Sequence, residues 1–174
     1  MSQLDKMWVL GVFLDNHFSQ LAMEDNPGVK LPPPVLFVGP LVVAIIINYF
    51  WPTIDSPDWL RFGGGSVLTL IGIALIASGM REFRRFKTSF VPIAPASSML
   101  QTGIFGRTRN PLYLGLTFIY LGCALFFSTL WAILFLPIVL RAIRTKVIAK
   151  EEAYLERRFG ADYVAYKVRV RRWM

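Results

Sequence analysis

The chain has 174 residues, 55% of them hydrophobic and only 17% charged, with a net charge of +8. That length fits one domain, and the composition lies far from that of a soluble one. A single cysteine and a single histidine exclude a disulfide framework, a cysteine-based metal site and a catalytic triad, and no metal is expected. The charge is unevenly placed: residues 1–60 carry two basic against six acidic side chains, residues 81–174 sixteen against five. Because the basic residues flank apolar stretches, this is the positive-inside pattern of a membrane protein. Nucleic-acid binding is not expected.

Residues 1–30 form a short amphipathic, interfacial segment that ends at the turn Asp25-Asn26-Pro27-Gly28. Its apolar run, Met7 to Leu14, is brief and lacks a small-residue cleavage pattern, so no signal peptide is expected. Pro32-Pro33-Pro34 leads into a first span over 35–51, with Pro40 as a tolerated kink. The connection after it carries Asp55 and Asp58 and suits an external loop. A second span covers 62–80. Gly65, Gly72 and Gly79 recur there every seven residues and so share one helix face. Gly115 and Gly122 repeat the spacing further on, and both seams are expected to be packing surfaces.

Residues 81–109 make a long internal connection rich in arginine, broken by Pro92, Pro95 and Gly103. A third span, 112–127, turns at Ser128-Thr129 into a fourth, 130–148, with Pro137 inside it. Arg141, Arg144, Lys146 and Lys150 then mark the inner boundary again. Residues 149–174 complete the chain as a cytoplasmic amphipathic helix and tail. On that helix Ile148, Leu155 and Phe159 share a face, with Glu151 and Glu152 flanking it on either side. Gly160 is a natural left-handed stop. The aromatic and basic residues after it suit an anionic membrane surface. The fold expected is one all-α integral membrane domain: four transmembrane helices, an N-terminal interfacial segment and a C-terminal amphipathic helix. Both termini are cytoplasmic, and the membrane is the inner one if the source is bacterial.

The helical hairpin formed by the last two spans returns to its starting face. It therefore brings the stretch Arg109-Asn110-Pro111-Leu112-Tyr113-Leu114-Gly115 close to Glu151-Glu152. Asn110 and Pro111 are a good N-cap and first helical residue. The helix start offers unpaired N–H groups to a carboxylate or phosphate, and Arg107 and Arg109 beside it can form bidentate pairs with the same groups. Tyr113 presents a ring to an aromatic base, and Gly115 leaves room for a ligand to pass. Two adjacent carboxylates against apolar surface call for a cationic partner. A ligand with ammonium and sulfonium charges, a carboxylate and an aromatic base engages each of these features, and S-adenosylmethionine is such a ligand.

Arg109-Asn110-Pro111-x-Tyr113-x-Gly115 followed by Glu151-Glu152 resembles the Arg-His-Pro-x-Tyr-x-Gly…Glu-Glu signature of the isoprenylcysteine carboxyl methyltransferase and phospholipid methyltransferase superfamily. Phe159-Gly160-x-x-Tyr163-x-x-Tyr166 is similar to the family's ending. The resemblance covers roughly residues 80–172 and departs at Asn110, where the family has histidine. It implies an integral membrane enzyme that binds S-adenosylmethionine at the inner face and takes a lipophilic acceptor from the bilayer. Its cofactor site would be Arg109, Asn110, Pro111, Tyr113, Gly115, Glu151 and Glu152, with Arg107 and Arg109 as candidates for the acceptor's head group. Prenylated cysteine, a phospholipid amine and a small hydrophobic thiol or acid stay open as acceptors, and membrane lipids are the expected surroundings. Two rival readings are an NADPH-dependent membrane reductase of an isoprenoid or sterol, and a non-catalytic module that binds membrane lipid.

Overall fold

A computed structural model describes residues 27–29, 31–88 and 98–173. The expected interfacial segment therefore lies, apart from Pro27 to Val29, outside the described residues, as does the middle of the 81–109 connection. Every regular element among the described residues is helical. Helix α1 is Pro33–Phe50, and α2, Gly65–Arg85, follows a π-helical turn at Trp59–Gly64. A 3₁₀ turn at Gly103–Gly106 precedes α3, Pro111–Phe126. Helix α4, Leu130–Ile143, passes through a π-helical stretch, Arg144–Ile148, into α5, Ala149–Phe159. After Gly160 the chain ends its helical part with α6, Ala161–Arg169.

The expected spans begin and end within a few residues of these helices, but they differ in length. Two helical segments, Pro33–Phe50 and Trp59–Arg85, are long and apolar enough to cross a membrane, with mean hydropathies of 2.0 and 1.8. Val35, Val38 and Ile46 on the first, and Leu70 and Ile73 on the second, point outward. The expected third and fourth spans are shorter as helices. Helix α3 has 16 residues and α4 has 14, about 24 and 21 Å at 1.5 Å per residue, against a hydrocarbon core of about 30 Å. Pro111 fixes where α3 starts, and Arg141 interrupts the apolar run of α4. The helical path nevertheless continues unbroken from Leu130 to Phe159. The π-helical stretch shifts the register where the sequence changes from uniformly apolar to amphipathic.

Helices α2 and α3 make the most extensive contact, and the glycine seams lie in it. A Cβ added at Gly72 would stand 2.6 Å from the Gly115 carbonyl oxygen, and one at Gly115 would stand 2.7 Å from that of Gly72. Gly79 packs under Leu112, Gly65 under the Phe126 ring, and Gly122 against Thr69. Small residues at this spacing allow the two backbones to touch, as expected from the sequence. On the other side α1 packs on α4. Phe37, Ala44, Tyr120, Ala132 and Ile143 form a continuous buried core there, and the Tyr120 hydroxyl donates to the Ala132 carbonyl at 2.9 Å.

The end of the bundle away from Glu151 is tied by side chains to open helix ends. The Thr53 hydroxyl accepts from the Leu130 N–H at 2.9 Å, at the start of α4. Arg61, the lone basic residue between α1 and the apolar part of α2, donates to the Phe126 carbonyl at the end of α3, at 3.3 Å. That contact sets a cation on the negative end of a helix dipole.

Gly160 turns α5 into α6 with φ 54° and ψ −127°. The φ is positive, as expected of a glycine stop, but the ψ puts the residue in the mirror-β region that only glycine visits easily. Open space surrounds the position of a Cβ, so the cost of a side chain there is purely backbone strain. Gly160→Ala is expected to lower stability by about 1–2 kcal/mol, read as a fall in melting temperature without loss of helical circular dichroism.

Candidate functional site

The beginning of α3, the first turn of α5 and the chain after α6 converge on one point. Tyr113, one turn into α3, is buried, and its hydroxyl donates to Glu151 Oε1 at 2.6 Å. Beside it, Glu152 is gripped by two guanidinium groups. Arg172 places Nε 3.0 Å from Oε1 and an Nη 2.6 Å from Oε2, a two-pronged fork. Arg109 brings Nη1 to 3.0 Å from Oε1. That approach lies off the hydrogen-bonding direction. Arg109 Nε and Nη1 are both buried, and neither has a hydrogen-bond acceptor among the described residues.

The charge state of the acidic pair follows from these neighbours. Glu152 has two cations against it. Glu151 has none in contact among the described residues, and burial pushes its carboxyl up to about 7. The Tyr113 hydrogen bond acts the other way, and the charge of Glu152 adds to the rise. Arg172 is held more firmly protonated by its hydrogen bonds to Glu152. Tyr163, on α6 below the pair, is pushed up to about 12 by burial and by Glu152, with Arg109 offsetting part of the effect.

A raised carboxyl means that folding penalises the ionised form. The penalty is absent below the ordinary carboxylate range, grows as pH rises through it and is complete above about 7. Glu151→Gln, which removes it, is therefore expected to raise the melting temperature of the ligand-free protein at pH 8. At pH 5 the gain should be small. Paired thermal melts at the two pH values test this, and an equal gain at both contradicts the sign.

The backbone around Asn110 explains how the site is held. Asn110 occupies the N-cap position of α3, and its carbonyl accepts from the Leu114 N–H at 3.0 Å. Its side chain, however, does not cap the helix: Nδ2 donates to the Arg172 carbonyl at 3.0 Å. The buried Thr108 hydroxyl donates to that carbonyl at 3.2 Å and accepts from the Asn110 N–H. The Arg109 N–H donates to the Arg171 carbonyl at 3.0 Å. Residues 108–110 and 171–172 thus lie side by side, and the tail carries Arg172 back to Glu152.

Two of the aromatic residues expected on the membrane surface are instead packed inside the protein. Tyr163 and Tyr166 are 2% and 3% exposed, and the Tyr166 hydroxyl donates to the Phe105 carbonyl at 2.7 Å. Lys167 pairs with Glu156, and Arg169 donates to Gln101. The part played by Thr108 and Arg172 is absent from the sequence reading. An arginine following an acidic pair by twenty residues has no local pattern that marks it.

Of the residues expected in the site, Arg109, Asn110, Pro111, Tyr113, Glu151 and Glu152 come together. Gly115 does not face this cluster: it lies one turn deeper, against Gly72 and Ile76 of α2. Its surroundings are those of a helix contact. Arg107 is exposed and stands outside the ion-paired group.

What these elements define is a class: an apolar helical protein with a partly buried acidic pair and an arginine clamp at the mouth of a hairpin. A family model described as phospholipid methyltransferase matches residues 60–162, more than half of the chain. The protein belongs to the phospholipid methyltransferase family, whose members are membrane-associated methyltransferases. It is also similar to an uncharacterized protein of Haemophilus influenzae, at 41% identity over 63 residues. That match spans 36% of this chain and the whole of the relative. No solved structure matches.

Proposed function

We propose that this protein is an integral membrane methyltransferase that uses S-adenosylmethionine and methylates a lipophilic acceptor drawn from the bilayer. The observation that carries this reading is the imbalance in the cluster. Among the described residues Arg109 keeps two buried nitrogens, Nε and Nη1, without a hydrogen-bond acceptor, while the partly buried Glu151 carboxyl has the Tyr113 hydroxyl but no cation against it. Buried polar groups are rarely left so. A ligand that carries both a carboxylate and a positive charge would satisfy the two ends at once. S-adenosylmethionine fits that donor set, and when bound it supplies an electrophilic methyl group.

In this reading Arg109 holds the ligand's carboxylate and Glu151 faces its positive charge. Tyr113 orients Glu151. Glu152 and Arg172 act as a brace that keeps Arg109 in place, joined by Asn110 and Pro111 at the helix start. Gly115 contributes by letting α3 approach α2. Arg107 lies exposed nearby, where it can meet an anionic head group. A carboxylate or thiolate acceptor needs no proton removed, and a neutral amine attacks through its lone pair. Catalysis then rests on alignment and exclusion of water.

The chain crosses the bilayer four times in this proposal, with α3 and α4 spanning a thinned region and both termini on the cytoplasmic side. The test is transfer of labelled methyl groups from S-adenosylmethionine to a membrane lipid extract by the purified protein. Label is expected in the organic phase and is expected to fall steeply in Glu151→Gln. Absence of transfer to phospholipid amines, prenylated cysteine and hydrophobic thiols or acids alike would overturn the assignment.

A further inference from the structure

Past Arg172 the chain lays Trp173 against the last turn of α4, N-terminal along the same helical path to the acidic pair. Leu140, Arg141, Arg144, Thr145 and Trp173 line an open-sided groove of about 530 Å³ there. Its composition is divided. Leu140 ends a charge-free run that begins at Asn110, and the partly buried Trp173 packs against the bundle core. Arg141 and Arg144 are the first charges after that run. Three residues apart, they share a helix face. Both are exposed, and none of the ion pairs among the described residues involves either of them. The Thr145 hydroxyl donates back to the Arg141 carbonyl at 2.9 Å, so it offers only lone pairs, and the charged donors of the groove are the two guanidinium groups.

We propose that this groove is a binding site for the head-group phosphate of an anionic phospholipid. Two free guanidinium forks suit a phosphate better than any neutral group. The apolar floor supplied by Leu140 and Trp173 suits the glycerol and the start of an acyl chain, which a soluble anion lacks. The groove lies where an apolar helix gains its first charges, the depth at which lipid phosphates sit and tryptophan settles. An aromatic side chain beside paired arginines at that depth distinguishes the groove from a merely basic helix end. The site rests on the chain residing in a bilayer and is independent of methyl transfer. Because Trp173 adjoins Arg172, a bound lipid also steadies the segment that braces Glu152.

The test uses the full chain purified in detergent, without S-adenosylmethionine. Retention of dioleoylphosphatidylglycerol and of dioleoylphosphatidylcholine is compared by native mass spectrometry. The wild type is expected to favour the anionic lipid by at least about tenfold. Arg141→Gln combined with Arg144→Gln should abolish the preference. Arg81→Gln combined with Arg157→Gln, which removes the same charge from exposed positions elsewhere, should keep it. A preference that survives in the first pair, or is lost equally in both, overturns the site. So does thermal stabilisation by inorganic phosphate equal to that by the anionic lipid, which would make the ligand a free anion. Melting curves of both variants confirm that each is folded.

Discussion

Glu152→Ala is expected to destabilise the protein by about 3–5 kcal/mol, the usual cost of removing one partner of a buried ion pair. The reason is what stays behind. Arg109 and Arg172 converge on this one carboxylate, and their side chains are 11% and 29% exposed. Without it two guanidinium groups face each other with no counter-charge. The segment 171–172 should loosen, since only the bonds donated by the Thr108 and Asn110 side chains and the Arg109 N–H then tie it to the start of α3. Glu152→Gln keeps the shape and one acceptor oxygen, so it is the milder probe. Its expected effect is a loss of S-adenosylmethionine affinity of roughly tenfold or more, equivalent to one charge-assisted hydrogen bond of ~1.5–3 kcal/mol. Thermal melts report the first variant and binding titrations the second.

Gly72→Leu is the other substitution with a large expected effect. A gain in helix propensity of up to about 1 kcal/mol favours leucine. Against it stands a Cβ that would sit 2.6 Å from both the Gly115 carbonyl oxygen and Ile119 Cγ1. The carbonyl belongs to a helix backbone and cannot rotate aside, so α2 and α3 must separate. Overpacking of that kind costs at least about 2 kcal/mol, and the separation also moves Tyr113, two residues before Gly115 on α3. Gly39→Leu is the matched control, because nothing lies within 4 Å of a Cβ there. Melting temperature should fall in the first variant and hold or rise in the second. Equal behaviour would show that the seam is not a close contact.

The features legible in the sequence are those set by local chemistry. Asn110-Pro111 marks the start of α3 because proline lacks an N–H that the first helical turn cannot use. The seven-residue spacing of Gly65, Gly72 and Gly79 identifies a contact face because helix periodicity alone puts them there. Glu151 and Glu152 are readable as inward-leaning because Ile148 and Leu155 fix the buried side of their helix.

Long-range choices are not written that way. Asn110 has the ordinary chemistry of a cap, yet its amide turns to the Arg172 carbonyl because that group arrives from sixty-two residues away. Arg172 itself is one of four arginines and lysines after Tyr166, and only the turn at Gly160 selects it. The length of the third helix, by contrast, is as read, because Pro111 sets its start and the turn at Ser128-Thr129 its end.

The central claim is that the uncompensated Glu151 and the unsatisfied Arg109 together receive a zwitterionic methyl donor. Calorimetric titration of S-adenosylmethionine into the purified protein at pH 6.5, in two buffers of different ionisation heat, tests it most directly. Binding of a cation at Glu151 draws off the proton that its raised carboxyl retains at that pH. The wild type should therefore bind with net proton release, and Glu151→Gln should bind more weakly and release none. Failure to bind, or proton release unchanged in Glu151→Gln, would contradict the account.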